Sequence, residues 1–126
     1  MLAALCVAAL AGAALAGTTH WSGLRSVAVT VQNGSLPPPY GRAHTKRFQT
    51  AAQLRQVTRA LNSNKIAQRT AIANNGCTGG FTITIAISPR HGKKVRLTGY
   101  RCGGHMFGAI AGNVPAFLHA VGVSAP

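Results

Sequence analysis

Apolar side chains recur at every second position in several segments of the chain, which is the spacing of a β-strand with one buried face. The alternation is most regular over residues 81–88 and resumes over residues 94–100, with the turn sequence SPRHGKK between them. These two segments predict a β-hairpin. A further strand is predicted over residues 27–32, and a weaker one over residues 44–49, where Phe48 is the only large apolar residue.

Two other segments have the pattern of helices. Thr50 and Gln53 have the spacing of a capping box, in which each side chain satisfies a backbone donor at the start of a helix. A helix is therefore predicted over residues 51–62. A short final helix is predicted over residues 113–121, because Pro115 suits its first turn. The apolar side of the longer helix is expected to consist of Ala51, Leu54, Val57, Thr58 and Leu61.

The remaining segments have the composition of loops. Residues 35–42 contain three consecutive prolines, which favour an extended conformation and cannot continue a strand ladder, so a stiff surface loop is expected. Residues 62–76 are polar and rich in Asn, and a flexible connection with one turn near Ile66 is expected. The segment GGHMFGAIAG, residues 103–112, lacks the Gly-Lys-Ser/Thr ending of a phosphate-binding loop and is expected to be a close-packed loop.

Residues 1–16 have the pattern of a secretory signal, because an apolar run of Leu, Ala and Val ends on small residues that match a cleavage site. The run is shorter than the roughly 20 apolar residues of a membrane span. No transmembrane span is expected after cleavage. Residues 17–126 are then expected to form one exported α+β domain. Its predicted architecture is an antiparallel sheet of about four strands, one longer helix and a short C-terminal helix.

The charge balance is extreme, with 13 Lys and Arg residues and no Asp or Glu. Catalysis or metal binding that depends on side-chain carboxylates is therefore excluded, including glycosidase pairs, aspartic-protease dyads, Ser-His-Asp triads and EF-hands. The fold should tolerate acid, because few groups besides histidine can gain a proton. No basic side chain can pair with an acidic one, so attraction to anionic cell-wall, lipid or nucleic-acid surfaces is expected.

The candidate polyanion-binding residues are the cations of the predicted helix and hairpin. Arg55 and Arg59 are one turn apart on the polar side of the helix, where a phosphate clamp is one interpretation and a solvated surface is the other. The complete set is Arg55, Arg59, Lys93, Lys94, Arg96 and Arg101.

Cys77 and Cys102 lie near the open end of the predicted hairpin. A register centred on residue 91 places position 80 opposite position 102, so a short curl of the chain brings the two sulfurs together. An oxidising compartment would allow a disulfide to persist. The alternatives are an incomplete zinc site with His105 and a reactive thiol.

One enzymatic alternative remains after the carboxylate-dependent classes are excluded. A metal-independent ribonuclease can use two imidazoles as acid and base, with cations to hold the phosphate. Its candidate residues would be His44, His91, His105 and His119.

The order of elements resembles a group of exported proteins. A Val-rich strand, the helix TAAQLRQVTRALN, Cys77, a hairpin and Cys102-Gly-Gly resemble small exported single-disulfide α+β domains of unassigned function from high-GC Gram-positive bacteria. A more distant likeness is to subtilisin-inhibitor-like proteins, although their second disulfide is missing. That likeness implies protease inhibition by an exposed loop, either residues 35–42 or residues 62–76.

The sequence therefore predicts a secreted or cell-envelope-associated, strongly basic binding protein without catalytic residues or a cofactor. Non-specific affinity for polyanions is its expected property, and a protein partner remains open. Protease inhibition and the histidine ribonuclease are the alternatives.

Overall fold

The computed structural model of the chain describes residues 20–33, 42–74 and 76–125. The predicted signal at residues 1–16 lies outside the described residues. The same is true of the predicted proline loop at residues 35–42, apart from Arg42.

Six strands form one antiparallel sheet, and two helices complete the described fold. The spatial order of the strands is β2-β1-β4-β5-β6-β3. In chain order the elements are β1 (Leu24–Gln32), β2 (Ala43–Phe48), α1 (Ala51–Ser63), β3 (Ala67–Ile72), β4 (Phe81–Pro89), β5 (Val95–Cys102), β6 (His105–Ala111) and α2 (Val114–Ala120).

The predicted α+β class with a sheet of about four strands is wrong, because the sheet has six strands and dominates the fold. The two additional strands, β3 and β6, lie in segments expected to be loops. β6 pairs with β5 on one side and with β3 on the other. Its glycine-rich sequence belongs to a strand because Gly108 has a φ of 89° and a Cβ atom there would lie 2.7 Å from the Thr98 carbonyl oxygen. Such a close backbone approach is a common reason for glycine within a strand.

The predicted hairpin is confirmed, including its register. Phe81 lies opposite Arg101 and Ile87 lies opposite Val95, which is the pairing centred on residue 91. The strands expected near residues 27–32 and 44–49 are β1 and β2, which pair with each other. Local alternation identifies β1 because it buries Val27, Val29 and Val31 on one face, whereas β2 buries only Phe48.

One face of the sheet packs against both helices and contains most of the core. The opposite face, which we call the open face, carries small and polar side chains on β1, β2 and β4, and the aromatic residues Tyr100 and Phe107 on β5 and β6. Thr30 is the centre of a threonine row on the open face, directly opposite Thr45 on one side and Thr84 on the other. Arg47 and Arg96 also lie on the open face. The buried sheet residues facing the helices are Val27, Val29, Val31, Phe48, Ile83, Ile85, Ile87, Leu97 and Ile110.

Both predicted helices are confirmed. α1 begins with the expected capping box, in which Thr50 Oγ1 accepts from the Gln53 backbone N–H at 3.2 Å and Gln53 Oε1 accepts from the Thr50 N–H at 3.1 Å. α2 is capped by Asn113, whose Oδ1 accepts from the Ala116 N–H at 3.1 Å. On α1 the buried residues are Val57, Ala60 and Leu61, whereas Ala51, which was expected on the apolar side, is exposed.

Replacing Thr50 with alanine is expected to lower the free energy of unfolding by about 1 kcal/mol, because the N-cap acceptor is lost. Urea unfolding followed by circular dichroism would measure the change. Thr50→Ser retains the hydroxyl and serves as the control. Equal losses in the two variants would contradict the capping role.

Candidate anion-binding groove

The predicted disulfide is confirmed, with Cys77 and Cys102 bonded to each other and their Cα atoms 6.1 Å apart. The loop before β4 is further fixed by Asn74, whose side chain accepts from the Cys77 N–H at 3.0 Å and donates to the Cys77 carbonyl at 3.1 Å. The Gly80 N–H donates to the Tyr100 hydroxyl oxygen at 2.9 Å. A zinc site or a reactive thiol at Cys77 or Cys102 is ruled out, because both alternatives require a free sulfur.

The six candidate cations do not form one patch. Arg55 and Arg59 lie on the exposed side of α1, whereas Arg96 lies on the open face. Lys93 and Lys94 are exposed in the turn between β4 and β5. Arg101 is half-buried on the helix-facing side of β5, opposite Phe81.

Arg55 and Arg59 come together with a third arginine that the sequence did not single out. Arg90, in the turn after β4, lines the same groove of about 580 Å³, which we call the arginine groove. Its apolar lining includes Trp21 and Leu54. The groove also contains hydroxyl, amide and imidazole groups from Ser22, Thr58, Asn62 and His20.

The segment before β1 forms one side of this groove and is held by four hydrogen bonds. Two of them join the Trp21 backbone to the Asn62 side chain. The Trp21 N–H donates to Asn62 Oδ1 at 2.7 Å, and Asn62 Nδ2 donates to the Trp21 carbonyl at 2.9 Å. The Trp21 indole N–H donates to the Ile66 carbonyl at 2.6 Å. The Arg90 N–H donates to the Gly23 carbonyl at 2.8 Å, which ties this segment to the end of β4.

The three arginines have no hydrogen-bonding or ion-pair partner for their guanidinium groups among the described residues. Arg55 and Arg59 are one helical turn apart, where like charges weaken a helix by roughly 0.2–0.5 kcal/mol. The sequence offers no Asp or Glu to relieve this repulsion. An external anion in the groove would relieve it.

Arg55 and Arg59 also line a second groove, of about 420 Å³, on the other side of their helical ridge. Its remaining lining comes from α1 and the end of α2, including Gln56, Ser63 and Ala120. The Gln56 amide donates to the Ala120 carbonyl at 3.2 Å and joins the two helices there. The two guanidinium groups are therefore accessible to a ligand from both sides of the ridge.

The four histidines proposed for a ribonuclease lie on different elements. His44 is on β2, His105 begins β6 and His119 is near the end of α2. His91 lies in the turn after β4, and all four are exposed. His44 and His119 line different grooves.

Of the two loops suggested for protease inhibition, the structure describes only residues 62–76 almost completely. Residues 62–76 are not one exposed loop, because they contain the end of α1 and the whole of β3. β3 pairs with β6, with an irregularity between Gln68 and Ile72. The proline segment at residues 35–42 lies almost wholly outside the described residues.

Arg90 was missed because its role depends on contacts far apart in the sequence. Trp21 is hydrogen-bonded to Asn62 on α1, which is 41 residues away in the sequence, and to Ile66, which is 45 residues away. The sequence did contain one indication of these contacts, the tryptophan before the first strand. A buried indole N–H usually needs a hydrogen-bond partner, so the segment at Trp21 could be expected to pack against the rest of the domain.

Comparison of the chain with protein-family models, with curated proteins and with solved structures finds no match. Over residues 20–33, 42–74 and 76–125, neither helix has the length and hydrophobicity that a membrane span requires.

Proposed function

We propose that this protein is a non-catalytic domain that binds polyanions through the arginine groove. The observation that carries the proposal is that Arg55, Arg59 and Arg90 surround one groove without any anionic side chain to neutralise them. Guanidinium groups present paired donors that match phosphate and carboxylate oxygens. Three of them around one concave surface favour an anion over a neutral ligand.

The shape of the site favours an extended polymer over a single compact anion. The groove continues along α1, and the ridge of Arg55 and Arg59 faces a second groove on its other side. A chain with regularly spaced anionic groups can contact both grooves. Binding that depends mainly on the three arginines would recognise charge rather than a particular sequence of monomers.

We further propose that the protein acts outside the cytoplasm, at the cell envelope or in the medium. The apolar segment at residues 1–16 has the pattern of a cleaved signal. The bond between Cys77 and Cys102 is of a kind that persists in oxidising compartments. Anionic cell-wall polymers are the polyanions that such a protein would meet there.

The proposal is tested by binding of a short, fluorescein-labelled polyphosphate chain, followed by anisotropy over a range of salt concentrations. The double variant Arg55→Gln, Arg59→Gln should bind about tenfold or more weakly at low salt, because two charge-assisted contacts are lost. The slope of log K against log salt should fall by roughly one for each arginine removed.

The matched control is Arg47→Gln, Arg96→Gln, which removes the same charge from the open face of the sheet. This control should retain the affinity of the wild type within about threefold, because screened charges on the far face contribute weakly. Equal losses in both double variants would show that binding follows net charge alone. Binding that is insensitive to salt would also contradict the proposal.

A further inference from the structure

A third groove, near the C-terminal helix, contains one arginine where the arginine groove contains three. It lies between the ends of β4 and β5, α2 and residues 122–125, and its volume is about 600 Å³. Its walls are largely apolar and are formed by Phe81, Pro115, Leu118 and Val123. Arg101 and His119 provide polar groups in this groove, which we call the C-terminal groove.

Arg101 is placed in this groove by the register of the sheet. It lies opposite Phe81 on β4 and opposite Met106 on β6, on the face of the sheet that packs against the helices. Phe81 and Met106 are both packed against the core. Arg101 is therefore a half-buried residue with apolar neighbours on both adjacent strands.

The other half-buried arginine of the same region shows what is unusual about Arg101. Arg69 donates from its guanidinium group to the carbonyl oxygens of Met106, at 2.7 Å, and Gly108, at 3.3 Å. Arg101 has no such partner among the described residues. A partly desolvated cation without a partner is costly, and an anion placed beside it recovers that free energy.

We propose that the C-terminal groove binds an alkyl carboxylate, such as a medium-chain fatty acid, with its carboxylate on Arg101. A carboxylate matches the planar fork of donors on a guanidinium group. The apolar body of the ligand would lie against Leu118 and Val123, and the volume is within the range of small-molecule sites. Most of the apolar wall is aliphatic, which favours an alkyl chain over an aromatic acid.

This site differs from the arginine groove in its number of cations, because Arg101 is the one arginine among its lining residues. A single carboxylate matches one guanidinium group, and the attached alkyl chain gains about 0.8 kcal/mol for each buried methylene group. The inference does not depend on the polyanion proposal, because the two grooves share no lining residue.

The experiment is calorimetric titration of the full chain with decanoate, below its micelle concentration. Decanol and acetate are the comparison ligands, because each keeps one half of the proposed interaction. Decanoate should bind and both comparison ligands should bind at least about tenfold more weakly, since charge pairing and apolar burial contribute together. Decanol or acetate binding as tightly as decanoate would overturn the proposal, and so would tighter binding of phenylpropionate.

Arg101→Gln should weaken decanoate binding about tenfold or more, and Arg101→Lys should lose less because it retains the charge. Arg96→Gln is the matched control, because Arg96 lies on the same strand and on the open face. Arg101→Gln should leave polyphosphate binding unchanged, so that failure of one proposal is separable from failure of the other. Unchanged decanoate binding in Arg101→Gln, or an equal loss in Arg96→Gln, would overturn the assignment.

A measurement on the unaltered protein protects the test against a variant that does not fold. Decanoate should raise the thermal unfolding midpoint of the wild type, because a ligand that binds only the folded state stabilises it. Acetate at the same concentration should not. An unchanged midpoint at decanoate concentrations that saturate the titration would count against a site in the folded protein.

Discussion

Replacement of both Cys77 and Cys102 with serine is expected to lower the free energy of unfolding by about 3 kcal/mol. The bond joins positions 25 residues apart and ties the loop before β4 to the last residue of β5. Its removal raises the conformational entropy of the unfolded chain more than that of the folded chain, because β4 and β5 remain paired in the folded state. The total stability of a domain of this size is only about 5–15 kcal/mol, so the loss is large.

Urea unfolding of the double serine variant, measured beside the oxidised wild type, would test this expectation. The wild type treated with reductant serves as a second reference, because it lacks the bond without any change of residue. Its unfolding midpoint should match that of the variant. An identical midpoint for the oxidised wild type and the variant would show that the bond does not contribute to stability.

Replacement of Phe117 with alanine is expected to destabilise the protein by about 3–5 kcal/mol. Phe117 is fully buried on α2, in the core between the helices and the sheet. Loss of its ring leaves a cavity, because Phe117 is surrounded by the packed core and the structure relaxes only partially around a missing side chain. Thermal and urea unfolding would measure the effect.

Phe107→Ala is the matched control for this substitution. Phe107 is half-buried on β6, opposite Tyr100 on the open face. The same change of side chain should cost only about 1 kcal/mol there, because solvent can fill the space that the ring leaves. Equal losses at Phe107 and Phe117 would contradict the assignment of the core to the helix-facing side.

The parts of the fold that the sequence predicted well are those specified by nearby residues. The β4–β5 register follows from two alternating segments around one turn, and the start of α1 follows from Thr50 and Gln53. Each of these features needs only contacts within a short stretch of chain. The disulfide was predictable for the same reason, because Cys102 closes the hairpin that follows Cys77.

The strands that were missed depend on partners elsewhere in the chain. β3 is mostly polar and exposed, with only Ala67 buried, so its own pattern gives little indication of a strand. It is a strand because β6 offers it a free edge. β6 contains glycine at position 108, which lowers strand propensity but allows the close approach to β5.

The candidate binding residues also differ in whether nearby or distant residues determine their positions. Arg55 and Arg59 were identifiable from helical spacing, but Arg90 joins them only because Trp21 and Gly23 hold the preceding segment in place. Arg101 and Arg96 are both cations of β5, but the pairing of the strands places them on opposite faces of the sheet. Charge alone does not distinguish the two residues.

Trp21 is the only tryptophan in the chain. Trp21 is buried, and its indole N–H donates a hydrogen bond to the Ile66 carbonyl. The residue also lines the arginine groove. Any change in intrinsic fluorescence at tryptophan wavelengths therefore originates at one place, where the segment before the first strand meets α1. The protein thus contains its own optical probe, which can report the detachment of that segment during unfolding without an attached dye.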